Sequence, residues 1–425
     1  MSGAPETFPE PAALVEGGSL ELGNGLLMLL REALEPLPAE AVVAVRAAHP
    51  TVAHDLPAWC RIMAHPYLGS EAGAAGAVYY FRKSPYESIA AEERPDWGVQ
   101  MPRRPSGELH TRDWMVGRVG EVPEVAPTTT GFAPRGAVVE AGAPAFDFTI
   151  NERSAVWAAE VADLYEQATA NQWDASRDIP WDQLPPLPAP LERAVCQLMT
   201  FLTENEYSAL YVPAKFVPRI NPQFNEVVMI LCTQMMDESR HIEAFTKRAL
   251  ANGGGLQYSA ASTQLSLKTL FDQHDFTSAS FLLSVLGEGT FLDLLRFIET
   301  HAPDPVTAEI CRRARVDETR HVHFGMAHMR YYLAQDPGNY DRLLRAVRER
   351  AAFMSSVTEV SPRVQEALAI LAAGGLNPDH LPEGLAKVRE LISEMHAHRM
   401  RRLQAAGFTP AQADEISALH TPNFM

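Results

Sequence analysis

One five-residue motif occurs twice, as Asp237-Glu238-Ser239-Arg240-His241 and as Asp317-Glu318-Thr319-Arg320-His321. In an α-helix, residues three apart lie about 60° apart on one face. A Glu carboxylate and a His nitrogen at that spacing converge on one ion. Two such helices supply two carboxylates and two imidazoles. Helix bundles that hold two metal ions this way add one Glu from each of two further helices. The motif therefore requires two more carboxylates on core-facing stripes.

The helical periodicity supplies them. Before the first motif, Val195, Met199, Leu202, Glu206 and Leu210 share a face, with Glu206 interrupting the apolar stripe and Glu204 pointing off it. Before the second, Phe281, Val285, Glu288, Leu292 and Leu295 form the stripe that Glu288 interrupts. The motif carboxylates behave alike: Leu231, Met235, Glu238 and Phe245 share a face, as do Ile310 and Glu318. A buried, unpaired carboxylate is costly or stays protonated, so four of them call for a cation. Carboxylates with two imidazoles suit iron or manganese better than zinc or copper. The separations, 32 residues from Glu206 to Glu238 (238 minus 206) and 30 from Glu288 to Glu318 (318 minus 288), let paired helices run antiparallel.

At 425 residues the chain has room for two to four domains. Residues 1–18 read as a flexible lead and 19–84 as a small α+β unit. Within that unit, Gly25 to Leu34 and Leu56 to Ala64 read as helices, Ala41 to Ala47 and Ala77 to Lys83 as strands. Prolines at 95, 102, 105, 123, 127, 134 and 144 make 85–149 a linker region. Residues 150–335 read as the bundle, its first helix capped by Asn151, and 336–425 as helices packing on it. Long periodic segments cover about 190–216, 222–251, 264–300, 304–334, 338–372 and 382–406. The fold class is mainly α, a helix bundle with a small N-terminal α+β two-layer sandwich.

Charge excludes some functions. With 36 Lys+Arg against 53 Asp+Glu the net charge is −17, which repels phosphate backbones, so no nucleic-acid partner is expected. Long apolar runs and a basic leader are both missing, so neither a membrane nor secretion is expected. Four scattered cysteines without a C-x-x-C pair fit a reducing cytoplasm, with Cys60, Cys232 and Cys311 as small core residues.

The region 150–335 resembles the ferritin-like di-iron superfamily. The repeated D-E-x-R-H, with ENEYSAL upstream, most resembles the hydroxylase subunits of bacterial multicomponent monooxygenases. The resemblance implies a di-iron centre that activates O2, with Glu206, Glu238, His241, Glu288, Glu318 and His321 as ligands. Asp237 and Asp317 resemble acids that orient the histidines, and Arg240 and Arg320 their charge partners. Departures are visible. Leu292 stands where the monooxygenases carry Thr, so proton delivery would differ. Phe245 stands where the ribonucleotide reductase small subunit carries its radical Tyr. Ala314 stands where arylamine oxygenases carry a third His.

Residues 20–83 resemble the TusA/SirA-type sulfur-carrier fold, through LLMLLREALEPLPAEAVVAV, DLPAWCRIMAHPYLG and AVYYFRK. The family's C-P-x-P turn falls on Leu22-Gly23-Asn24-Gly25, so the carrier Cys is missing and a docking or scaffolding role is implied.

The expected function is a non-haem di-iron oxidase or oxygenase acting with O2 on a small organic substrate. Its cofactor would be two Fe ions, with Mn compatible at one or both positions. No flavin, nicotinamide or Fe–S fingerprint is present, so electrons would come from an external donor such as a ferredoxin or reductase. A homodimer is compatible. The alternatives are an iron-handling ferroxidase and a metal-stabilised binding or scaffold protein.

Overall fold

The computed structural model describes residues 8–73, 76–84, 100–114, 116–139, 143–355 and 361–420. It divides into two compact units, Met1–Gln100 and Met101–Met425.

The first unit contains β1 (Ala13–Gly18), a π-turn (Leu22–Leu26) running into α1 (Leu27–Leu34), β2 (Val42–Ala47), α2 (Val52–Ile62), β3 (Tyr67–Gly73) and β4 (Gly76–Arg82). The sheet order is β1-β2-β4-β3, with β1 parallel to β2 and the other pairs antiparallel. Leu26, Leu30 and Leu34 recur every fourth residue, as do Val52, Leu56 and Cys60. Both stripes pack on Val43, Val45, Tyr79 and Phe81, which makes two layers. Two expectations are corrected. The lead is not flexible throughout, because Ala13–Gly18 is a strand whose pairing to β2 satisfies its backbone. Phe8 also stacks on Tyr80 with ring centroids 4.4 Å apart. The strand β3 was not anticipated either; its two glycines hide a β pattern.

The second unit is helical. Its elements are α3 (Gly117–Gly120), α4 (Val161–Ala170), α5 (Ala189–Ala214), α6 (Asn225–Ala251), α7 (Ala261–Phe271), α8 (Phe276–Ser280), a π-helical stretch (Phe281–Glu288), α9 (Gly289–His301), α10 (Pro305–Gln335), α11 (Asn339–Met354), α12 (Pro362–Ala372), α13 (Leu381–Ala405) and α14 (Pro410–Ala418). The bundle centre is made by α5 with α6, the π-stretch and α9 with α10, and α6 with α10. Local chemistry sets the ends. Asp304 caps α10 by accepting from Thr307 N at 2.7 Å, and Pro305 occupies its first turn. Thr409 and Gln412 form a capping box on α14.

The helix expected from Asn151 begins only at Val161; the Asn151 side-chain oxygen, the atom a cap would use, accepts from Asn221 Nδ2 at 2.9 Å instead. The periodic segment expected over 264–300 is interrupted once, at 272–275, and from Phe276 to His301 the helix runs on through the π-helical stretch. The described part of 101–149 is no free linker. Ala126 lies in the bundle core, and buried Arg135 pairs with buried Glu226 while donating to Gln223 O at 2.7 Å. Prolines bar regular ladders there, but side-chain and isolated backbone bonds replace them. Pro95 lies outside the described residues.

Candidate metal centre

Each of the six residues singled out by periodicity is buried: Glu206, Glu238, His241, Glu288, Glu318 and His321 are at most 3% exposed. They come from α5, α6, the end of the π-stretch and α10. Their donor atoms form two overlapping groups: Glu206, Glu238, His241 and Glu318, and Glu238, Glu288, Glu318 and His321. Within each group the atoms lie within 4.8 Å of one another. Glu238 and Glu318 belong to both. Glu204, two residues from Glu206, turns away and accepts from Gln264 at 2.9 Å.

The imidazoles are fixed at both nitrogens. His241 Nδ1 faces Glu238 at 3.0 Å, Glu318 at 3.3 Å and Glu206 at 3.7 Å. His321 Nδ1 faces Glu238 at 3.1 Å and Glu318 at 3.3 Å. The outer nitrogens cross over. His241 Nε2 meets Asp317 at 3.2 Å, and His321 Nε2 meets Asp237 at 3.2 Å. Each motif's Asp thus orients the other motif's His. With Nε2 engaged by an aspartate, Nδ1 is the nitrogen turned inward toward the carboxylates.

Arg240 and Arg320 close a square over the aspartates. Arg240 pairs with Asp237 and, at 3.3 Å, with Asp317. Arg320 pairs with Asp317 and, at 3.2 Å, with Asp237. Three further contributors escaped the sequence reading. Trp173 donates its indole N–H to Asp317 at 2.7 Å. Gln172 donates to Asp237 at 3.3 Å, and Gln234 to Glu288 Oε1 at 3.0 Å. The first two sit in a Trp/Pro-rich loop. A signal existed for Gln234: it is a polar residue on an apolar face, one turn before Glu238.

Electrostatics describe a centre of crowded anions. Burial, together with the charges of Glu238 and Glu318, pushes Glu206 and Glu288 well above the ordinary carboxyl range. Glu238 is also pushed up by burial, but His321 and His241 outweigh that and hold it low. For both histidines burial favours the neutral ring, and the surrounding carboxylates overcome it. One oxygen of each core carboxylate, Glu206 Oε1, Glu238 Oε1, Glu288 Oε2 and Glu318 Oε1, is buried without a hydrogen-bond partner. Buried polar atoms are normally satisfied. Four orphans converging on one space are what a pair of cations would satisfy, so the donor set fits the expected metal.

Other expectations part ways. Cys311 is buried as expected, but Cys232 is exposed, on the outer face of α6 where the core stripe does not reach. Phe245 is fully buried with its ring 6.2 Å from His241. Ala314 is fully buried and Leu292 half-buried. Gln234, which bonds Glu288, also lines a cavity of about 20 Å³ with apolar side chains such as Val212, Leu231, Leu283 and Phe324 and the polar Ser280 and Ser284. No helix among the described residues is long and apolar enough to cross a membrane.

No family model matches the chain, and no curated protein matches it. Solved structures do. An R2-like ligand-binding oxidase with aerobically reconstituted Mn/Fe cofactor (long soak) is 18% identical, covering 63% of this chain and 95% of its own, with a TM-score of 0.42. An R2-like ligand-binding oxidase with aerobically reconstituted metal cofactor after photoconversion is 17% identical, covering 60% and 92%, with a TM-score of 0.42.

Proposed function

We propose that this chain is a non-haem di-metal oxidoreductase that uses O2 to oxidise a small organic substrate. The observation that carries this reading is the set of four buried carboxylates, each with one orphaned oxygen, facing two inward imidazole nitrogens. Glu206 and His241 would hold one ion, Glu288 and His321 the other, and Glu238 and Glu318 would touch both. Carboxylates and imidazole favour iron, with manganese compatible at either position. When bound, the metal pair supplies the electrons that O2 accepts.

The chain's own residues do the rest. Asp317 and Asp237 keep the histidine protons on Nε2. Arg240 and Arg320 pair with both aspartates and hold them in place. The apolar wall of the cavity at Gln234 excludes water and offers an apolar substrate part its contact surface, and the buried Ser280 hydroxyl there has no partner. That cavity is too small for an organic molecule until side chains such as Leu283 move, so substrate entry requires opening. An external donor restores the electrons.

The test is anaerobic Fe(II) titration followed by O2 exposure. Two Fe(II) per chain and O2 consumption support the reading, and isotope-labelled O2 with mass spectrometry separates an oxygenase from an oxidase. Glu318→Ala and His241→Ala should each lower metal occupancy, whereas Glu204→Ala should not. Parental occupancy in the first two variants would sink the assignment. Two ions bound without O2 consumption would favour a metal-stabilised scaffold.

A further inference from the structure

Glu288, unlike its counterpart Glu206, is held by a side-chain amide. Gln234 stands on α6 one turn before Glu238, is 3% exposed, and donates Nε2 to Glu288 Oε1 at 3.0 Å. An ionised carboxylate only accepts, so the amide nitrogen must face it. With Oε1 engaged, Oε2 is the oxygen left without a partner inside the cluster. The bond therefore selects which oxygen Glu288 offers. Among the described residues no side-chain amide does this for Glu206. The π-helical stretch that ends at Glu288 makes such a tether useful, because π-turns are rare and loosely bonded segments often found at functional sites.

We propose that Gln234 is a positioning residue that locks Glu288 into one-oxygen presentation, and so sets the affinity of only one of the two ion positions. The inference rests on the di-metal reading of the site. Glu288 and His321 belong to one donor group, and Glu206 and His241 to the other. Loss of the tether should be felt in the first group alone. Partners behind a metal ligand change affinity by about 10- to 100-fold when removed.

Anaerobic Co(II) titration of the full chain tests this, because cobalt's visible bands report coordination without turnover. Gln234→Met keeps the side-chain volume and the cavity wall but removes the donor. The expected result is one binding constant weakened by about 10- to 100-fold, the other nearly unchanged, and altered visible bands. Gln197→Met is the matched control. It removes another buried amide, which bonds Tyr258 O at 2.8 Å, and should leave both constants unchanged. Should Gln234→Met fail to fold, Gln234→Ser, too short to reach Glu288, should give the same split. Parental constants in the Gln234 variant, or equal weakening of both, would overturn the proposal. Fewer than two Co(II) in the parent would instead overturn the di-metal reading itself.

Discussion

Aligned on their histidines, α6 and α10 agree at every position that faces the carboxylate cluster or the aspartate square and differ behind it. Asp237, Glu238, Arg240 and His241 match Asp317, Glu318, Arg320 and His321. One turn earlier, Gln234 on α6 faces Ala314 on α10. One turn later, Phe245 stands against Gly325. Seven residues after the histidines, Arg248 stands against His328. The shared quartet follows from the shared centre, where each half supplies the same donors. The differences follow from unlike neighbours. Phe245 is fully buried in the half built on regular α5. Gly325 abuts the π-stretch, and a Cβ there would lie 2.7 Å from the Ser284 Cβ. Two halves can thus be repeated in chemistry without being repeated in packing.

The largest effect should come from position 248. Arg248 is fully buried, bonded to Glu192 at 2.7 Å, Asp304 at 2.9 Å and Thr307 at 2.8 Å, and it ties α5, α6 and the start of α10 together. Arg248→Met strands two buried carboxylates and should cost about 3–5 kcal/mol in urea unfolding. Its counterpart His328 bonds Trp157 O at 2.9 Å and Thr277 Oγ1 at 3.0 Å. His328→Leu should cost only about 1–3 kcal/mol. Equal losses would show that the two positions do the same work.

Acid should sharpen the contrast. Burial pushes His328 down to about 4, from an ordinary 6.5. The unfolded chain therefore takes up this proton first. Stability held by the neutral ring is complete above pH 6.5 and lost as pH falls from 6.5 towards 4. At about 1.4 kcal/mol per unit, that is up to about 3 kcal/mol. The parent-minus-His328→Gln difference in unfolding free energy should shrink over this window. A difference flat between those pH values would contradict a neutral buried ring.

Next in size is the glycine. Gly325→Ala should cost about 1–3 kcal/mol, because the added methyl must displace Ser284 or Val285 on the π-stretch. It should also weaken the ion position served by Glu288 more than the one served by Glu206. A neutral Gly325→Ala in both unfolding and metal titration would show that the π-stretch does not depend on this close approach.

These differences mark where sequence reading stops. The clustered carboxylates were legible because a carboxylate on an apolar stripe breaks a pattern that local periodicity predicts. The π-stretch was not; the backbone it packs closely against, at Gly325 on α10, lies some forty residues away in sequence. The Arg135–Glu226 pair that anchors the Pro-rich segment is similarly remote. In the N-terminal unit the two helices and central strands β2 and β4 were legible from apolar density. Strand β1, half exposed and dependent on a parallel partner, was not. Cys232 was misplaced because it lies just outside the stripe that holds Glu238.

The smallest expected effect tests the crossing of the aspartate–histidine pairs. Asp317 receives Trp173 Nε1 at 2.7 Å, whereas Asp237 receives Gln172 Nε2 at a looser 3.3 Å. The Trp173 ring also lies under the Arg240 and Arg313 guanidinium groups, 5.3 and 5.7 Å from its centroid. Trp173→Phe keeps an aromatic face for those cations and removes only the indole N–H. Asp317 retains both arginines and His241, so it stays charged and in place. The remaining change is a slightly freer Asp317 and, through it, a slightly freer His241. Cobalt affinity should therefore fall by less than about tenfold, at the low edge for partners behind a ligand. It should fall at the position served by His241, although Asp317 belongs to the same helix as His321. Gln172→Leu should do the reverse, acting through Asp237 on the position served by His321, and more weakly because its bond is longer. A Trp173→Phe effect confined to the His321 position would mean that each aspartate serves its own helix, and that the crossed hydrogen bonds carry no energy.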